Sequence, residues 1–401
     1  MNSLVASAGC WVLIMAAVLH AQITVPSPDR TVQAEISRGA DGRLRLGAGV
    51  LLERWSWVSV FVGLTAAGAL LAALACTIAE SSQHDHPPVD WVGAAAAAVA
   101  VAGIVFATIE FPARGWADPI VLASAGAGML ATAFFILIEL RSSAPLLDVR
   151  LFAKRGFSAG SLSVAIQFLV TFGVFLLLVQ YLQLILGYGP LASALGLVPM
   201  TVPLIVISVI APRLSQRFGL RVMTVAGLVT IAVGLMLVSR MTVDARYLDL
   251  LWPLLIMSAG LGLCTAPATY AIIAETPESK HGVAAAVNDA AREIGAAMGI
   301  AVAGSVLAAG YTRHIQPALP QLPEPARGPV SDSLAAALEI AAQAGPMAQP
   351  LVDYAKEAFV NGSSQATLTL AILTAAAAVL LAILAPGTAP RDHKTTASST
   401  A

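Results

Sequence analysis

Long apolar runs without charge, separated by short stretches that hold most of the charged residues, set the pattern of this chain. Nine such runs lie near 57–79, 91–110, 119–139, 160–185, 193–212, 221–239, 249–274, 291–311 and 366–386. A bilayer core takes about 20 apolar residues in a helix. Lipid offers no partner to an unpaired backbone group, so each run reads as a spanning helix. None shows the alternation of a strand. Leu4–Gln22 is a tenth run. It is long enough to span, yet it is N-terminal and a polar stretch follows it. A signal peptide is the rival reading, although no basic segment precedes the run. Nine or ten spanning helices define an all-α, polytopic membrane protein. Pro199, Pro203, Pro253, Pro267, Gly260 and Gly262 lie inside the runs. Such residues are commoner in membrane helices than in soluble ones, and small residues let helix backbones approach closely.

Composition agrees. Of 401 residues, 58% are hydrophobic and 11% charged, against about 25% charged in a soluble globule. The 22 basic and 23 acidic residues cannot cover a particle of this size. A net charge of −1 leaves no basic footprint for nucleic acid. Cys10, Cys76 and Cys264 are far apart and apolar in context. They form no metal spacing and no disulfide framework, and read as small packing residues.

The basic residues predict orientation. Arg141, Arg150, Lys154 and Arg155 lie in one loop; Arg213, Arg217 and Arg221 in a second. Lys280 and Arg292 flank the run starting at 291, and Arg391 and Lys394 follow the last run. These segments alternate with the loop Leu186–Pro190, which has no Lys or Arg. All four are therefore expected in the cytoplasm, with the C-terminus. The stretch 23–55 departs from the rule. It carries Arg30, Arg38, Arg43, Arg45 and Arg54 on a side expected to be external, while Glu80–Asp90 has no Lys or Arg on a side expected to be internal. The long loop 312–365 starts Pro-rich and predicts two short amphipathic helices, near 331–343 and 347–360, on the outer surface.

The catalytic and nucleotide-binding signatures HExxH, P-loop and CxxC do not occur. No enzyme, cofactor or metal centre is expected. His84-Asp85-His86 has no third ligand nearby and reads as a solvated loop. Candidate chemistry therefore lies in polar groups within the runs. Glu110 ends the 91–110 run and is the candidate for ion coupling; Glu139 ends the next, beside Arg141. Gln167, Gln180 and Gln183 share the 160–185 run. At α-helical spacing 180 and 183 lie on one face, with 167 offset from it. Glutamine donates and accepts without charge. It could line a substrate or water pathway, or bond helices together. Asn288, Asp289, Arg292 and Glu293 cluster where the chain enters the run at 291. Two readings stand: a cap at the positive end of the helix dipole, or a cytoplasmic gate latch.

The turn Arg213-Leu214-Ser215-Gln216-Arg217-Phe218-Gly219-Leu220-Arg221 resembles the basic cytoplasmic loop of the major facilitator superfamily, G-x-L-x-D-R-x-G-R-R. Leu214, Arg217, Gly219 and Arg221 match, and Gln216 replaces the acid. An ordered set resembles the fourteen-helix drug:proton antiporter branch. It comprises Leu52-Glu53-Arg54-Trp55-Ser56-Trp57, Asp90-Trp91-Val92-Gly93, Pro145–Phe152, Gln180-Tyr181-Leu182-Gln183 with Gly187-Tyr188, Gly260-x-Gly262 with Pro267, Val287–Gly295 and Ala358–Gly362. The resemblance covers about 51–387.

The resemblance implies efflux of hydrophobic or cationic small molecules against protons in the plasma membrane. Gln167, Gln180, Gln183, Gly260, Gly262 and Pro267 would line the pathway. Arg217, Gly219 and Arg221 would shape a cytoplasmic gate with the 288–293 cluster. The motifs of the branch's first five helices are not found, apart from a remnant at Gly47-Ala48-Gly49. The expected organisation is an atypical segment 1–50, one first-bundle helix in 51–90, two linker helices in 91–157, a six-helix bundle in 158–387 with an external loop 312–365, and a tail 388–401. The alternative is a truncated chain, or one that needs a partner to supply the first bundle. DNA upstream of Met1 is expected to distinguish these.

Overall fold

The computed structural model describes Thr65, Gly68 and residues 90–386, apart from 116, 143–146, 148 and 278–280. The run at 4–22, the run at 57–79 apart from Thr65 and Gly68, the basic stretch 23–55, His84-Asp85-His86 and the tail 388–401 lie outside the described residues. So does most of the linker Pro145–Phe152 upstream of Val149. Among the described residues there are helices and no strands.

Helices α1 (Trp91–Arg114) and α2 (Pro119–Arg141) begin on aspartate caps. The Asp90 carboxylate accepts from Gly93 N, and that of Asp118 from Ile120 N, each at 2.8 Å. Such caps satisfy amides with no partner inside the helix. Arg114 and Arg141 occupy the last turns, where the dipole is negative. A methyl on Gly103 would lie 2.8 Å from the Gly128 amide, so the two backbones touch.

The main bundle follows. Helix α3 (Arg155–Gln180) ends in a π-helical turn, Tyr181–Ile185. Helix α4 (Pro190–Leu197) belongs, for all but its last residue, to a separate unit. A 3-10 turn, Val198–Met200, precedes α5 (Thr201–Val238). Then come α6 (Tyr247–Ala274) and α7 (His281–Ile315). Two short helices, α8 (Glu324–Asp332) and α9 (Leu334–Ala344), lead to α10 (Gln349–Leu384).

Helix α5 has 38 residues, about 57 Å at a helical rise, far more than the ~30 Å bilayer core. It breaks at Gly219, whose φ of 82° is open to glycine but costly for an L side chain. The two arms fold back on each other, because both touch the same level of α6. A methyl on Gly262 would meet Ile207 Cβ at 2.9 Å on the first arm. A methyl on Gly260 would meet Gly227 O at 2.6 Å on the second. The expected basic loop is thus almost a single residue. Helix continues through Arg213–Phe218 because polar side chains at a membrane surface do not break the hydrogen-bond ladder.

Seven described helical stretches are long and apolar enough to cross a membrane, and the one holding α5 reverses at Gly219. The chain is an all-α, polytopic membrane protein. Its helices meet through backbone. Methyl groups on Gly295 and Gly299 of α7 would collide with the carbonyl oxygens of Ala165 and Leu169 on α3. Farther along α7, a methyl on Gly310 would lie 2.7 Å from Gly362 Cα on α10. Both contacts of the α3–α7 pair advance together, so these helices run parallel.

Three boundaries differ from the sequence pattern. Helix α7 begins at His281, not near 291. Of the two amphipathic helices expected on the outer surface, the first is α9. It buries Leu334, Ala337 and Ala341 within the protein. The second does not exist separately: 349–360 is the start of α10, carrying Ala355, Ala358 and Phe359 into the core. Helix α8 was not expected. The Tyr311 hydroxyl donates to Val330 O at 3.0 Å and secures α8 to α7.

Gly299→Leu is expected to part α3 from α7 and destabilise the protein by about 1–3 kcal/mol or more. Gly282→Ala, with open space around it, should be neutral or slightly stabilising, since alanine favours helix over glycine. Thermal unfolding in detergent measures both. Equal melting temperatures for the two variants would contradict the backbone contact.

Candidate functional site

On α3, polar side chains recur every four residues at Ser163, Gln167 and Thr171, which places them on one face. Gln167 is 2% exposed. Its Nε2 donates to the carbonyl and the hydroxyl of Ser163, both at 3.0 Å. Its Oε1 accepts from Thr265 Oγ1 of α6 at 2.7 Å. Thr171 Oγ1 donates to Gln167 O at 2.7 Å. The amide uses both ends, as a buried polar group must. This side-chain bond adds to a backbone approach of α3 to α6, where a methyl on Gly160 would lie 2.7 Å from Ala268 O.

Gln180 and Gln183 do not join this network. Thirteen residues separate Gln167 from Gln180, about 20 Å along a helix. Gln180 Nε2 donates back to Leu176 O at 3.1 Å. Gln183 lies inside the π turn, closed by Leu186 N donating to Tyr181 O at 3.2 Å. The wider turn removes the shared face that α-helical spacing predicts. π turns often mark functional sites. This one holds Tyr181, whose hydroxyl donates to Thr242 O at 2.7 Å. Nearby, Ser364 Oγ of α10 donates to Ser239 O. A small cavity lined by Val174, Tyr181, Val238, Ser363 and Thr367 sits between these bonds. They tie the ends of α3 and α5 to each other and to the middle of α10.

Gly260, Gly262 and Pro267 are buried. The two glycines lie against both arms of α5, so their observed role is helix packing.

At the Arg-rich end, Arg217 is exposed, its guanidinium 5.6 Å from the Phe218 ring centroid. Arg221 Nε donates to Ala385 O at 2.7 Å, satisfying a carbonyl just past the end of α10. Lys154 Nζ donates to Glu275 O, joining the start of α3 to the end of α6. Sequence reasoning missed that last link, because nothing local pairs positions 121 residues apart.

Asn288, Asp289, Arg292 and Glu293 lie within α7, not at its start. The capping reading therefore fails: residues two turns inside a helix have amides already bonded. Asn288 is 8% exposed. The Arg292 guanidinium lies 5.3 Å from the Phe168 ring centroid of α3. It pairs loosely with Asp289 at 3.9 Å, where the Asp289 side chain is 73% exposed. Glu293 is exposed. Glu110 is held by Arg114 one turn on, and Arg114 also reaches Asp118 at 4.0 Å. Hydrogen bonding to Glu110 pushes the Arg114 pKa up from its ordinary value. Glu139 is buried and accepts from Leu147 N at 3.2 Å. Among the described residues no group of His, Cys, Asp and Glu is placed to hold a metal ion.

The family model that matches the chain is that of the Major Facilitator Superfamily, over residues 45–300. The chain is similar to multidrug resistance protein Stp of Mycobacterium tuberculosis, 31% identical over 69% of this chain and 52% of that protein. It is 27% identical to the multidrug efflux pump LfrA of Mycolicibacterium smegmatis, over 84% of this chain and 66% of the pump. Puromycin resistance protein pur8 of Streptomyces alboniger is 31% identical, over 69% of this chain and 56% of its own length. The chain thus spans between half and two thirds of the length of these relatives.

Gln167→Leu and Thr265→Val should each lower the melting temperature in detergent. The double variant should fall by less than the sum. Interhelical hydrogen bonds in membranes couple by about 0.6 kcal/mol, up to about 1.7. Strict additivity across the cycle would argue against the Gln167–Thr265 bond.

Proposed function

We propose that this chain, which belongs to the Major Facilitator Superfamily, exports hydrophobic or cationic small molecules across a plasma membrane in exchange for protons. Three relatives named for drug resistance or efflux carry this reading, together with a buried uncharged amide network inside a spanning helix. Uncharged amides suit such cargo, since they bond a polar edge without imposing a charge. Gln167 and Thr265 are the residues assigned to the pathway wall. Gln180 and Gln183 are assigned to the far end of the same helix, beside the Tyr181 latch. In the proposed orientation the Arg-rich end, with Arg217, Gly219 and Arg221, faces the cytoplasm, as does the C-terminus. There the bonds of Arg221 to Ala385 and Lys154 to Glu275 would open and close with the cycle. Glu110 is a poor candidate for proton coupling, because Arg114 occupies its carboxylate.

Facilitator transport rocks two six-helix bundles around a midplane site. The spans from α3 to α10 supply the second. A chain that works only beside a separately supplied first bundle is therefore the second reading.

The test is dye accumulation in a pump-deficient bacterium. Expression of the chain should lower ethidium accumulation, and an uncoupler should restore it. Gln167→Leu should slow efflux at equal membrane abundance. Accumulation that matches the empty vector would end the reading of transport by this chain alone. A decrease seen only on co-expression with a first bundle would establish the partner-dependent form.

A further inference from the structure

Between α3 and α7 the contact changes character toward the Arg-rich end. At Ala165 and Leu169 it is backbone against glycine, with no space for a side chain. One turn closer to that end, the parallel register of those contacts sets Ser161 beside Ala291, flanked by Asn288 and Arg292. Here three polar atoms are closed to solvent and have no hydrogen-bond partner: Ser161 Oγ, Asn288 Oδ1 and Arg292 Nε. Ser161 is 6% exposed and Asn288 8%. The Arg292 guanidinium lies 5.3 Å from the Phe168 ring centroid and 3.9 Å from Asp289, and neither contact supplies an acceptor to Nε. Val164 and Val287, 3% and 5% exposed, belong to the apolar cluster alongside.

Buried polar atoms without partners are rare because each costs free energy. The chemistry of these three defines what satisfies them. Arg292 Nε–H needs an acceptor. Asn288 Oδ1 needs a donor. The Ser161 hydroxyl can do either. A cation would be repelled by the guanidinium, and an anion by the amide oxygen. A neutral molecule that both accepts and donates meets all three demands, and the close helix approach limits it to the smallest. We propose that Ser161, Asn288 and Arg292 form a binding site for one ordered water that bridges α3 and α7. Buried waters of this kind make about three hydrogen bonds. The site is independent of whether the chain transports anything. It gives this interface a dry, rigid half at Gly295 and Gly299 and a water-bridged half beside them.

The test is radiolytic hydroxyl labelling of the full chain in detergent, where radicals formed from bound water mark adjacent side chains. Val164 and Val287 should label several-fold faster than Val170, which is also closed to solvent (0% exposed) but lies above the glycine contact. Asn288→Leu should remove that excess and lower the melting temperature. Labelling of Val164 and Val287 no faster than Val170 would overturn the proposal, with no variant needed. An Asn288→Leu protein that melts at or above the parent's temperature would also overturn it. An orphan amide replaced by an apolar group of similar size should be neutral or better.

Discussion

Helix backbones in this protein come together until glycine Cα hydrogens meet carbonyl oxygens, and the other features of the bundle depend on that approach. In lipid the burial of apolar side chains does not drive helices together, because acyl chains are as apolar as leucine. Association rests instead on close van der Waals contact and on interhelical hydrogen bonds. Gly295 and Gly299 set the register of α7 on α3. Gly227 and Gly260 bring the second arm of α5 onto α6, and Gly310 and Gly362 do the same for α7 and α10. The register then decides which polar groups meet. Phe168 lies under Arg292, and Gln167 reaches Thr265, because the backbones already touch close by.

The polar groups divide by charge and by depth. In the Ser163–Gln167–Thr265 set, uncharged groups are buried deep in the spans and the Gln167 amide uses both of its ends. Charged groups gather at helix ends, where Arg221 and Lys154 donate to free carbonyls and Glu110 pairs with Arg114. Arg292 is the exception. It sits inside α7, neutralised loosely by Asp289 and covered by an aromatic face. A charge inside a spanning helix is costly, and this one lies where two helices join by side chains rather than by glycine.

Much of this was legible in the residues. Apolar runs of spanning length marked α1, α2, α3, α6 and the membrane part of α10. Gly219 within a basic stretch marked the reversal of α5. Gln167 was singled out as lining a pathway or bonding helices together, and it bonds α3 to α6. Other features were misread for identifiable reasons. The start of α7 was placed ten residues late, because Asp289 and Arg292 look like the end of a membrane run while the hydrogen-bond ladder ignores side-chain charge. Gln180 and Gln183 were put on one face because a π turn leaves no local signature. Helix α8 was not marked, since its residues are small and mildly polar and only Val330 is buried. It is held by the Tyr311 hydroxyl donating to Val330 O, a pairing that no local pattern marks.

What the sequence determined by itself was the number and character of the described membrane-crossing elements. Hydrophobic length and backbone satisfaction are local properties that each run either meets or fails. Only the tertiary structure decided which glycines are contacts, which polar atoms share a bond, and where Arg292 spends its charge. Gly260 and Gly262 look the same in sequence as residues lining a pathway, yet they lie against opposite arms of α5. The difference arises because an interhelical contact joins residues that are dozens of positions apart. Its geometry follows from the crossing of two helices, which no single run encodes.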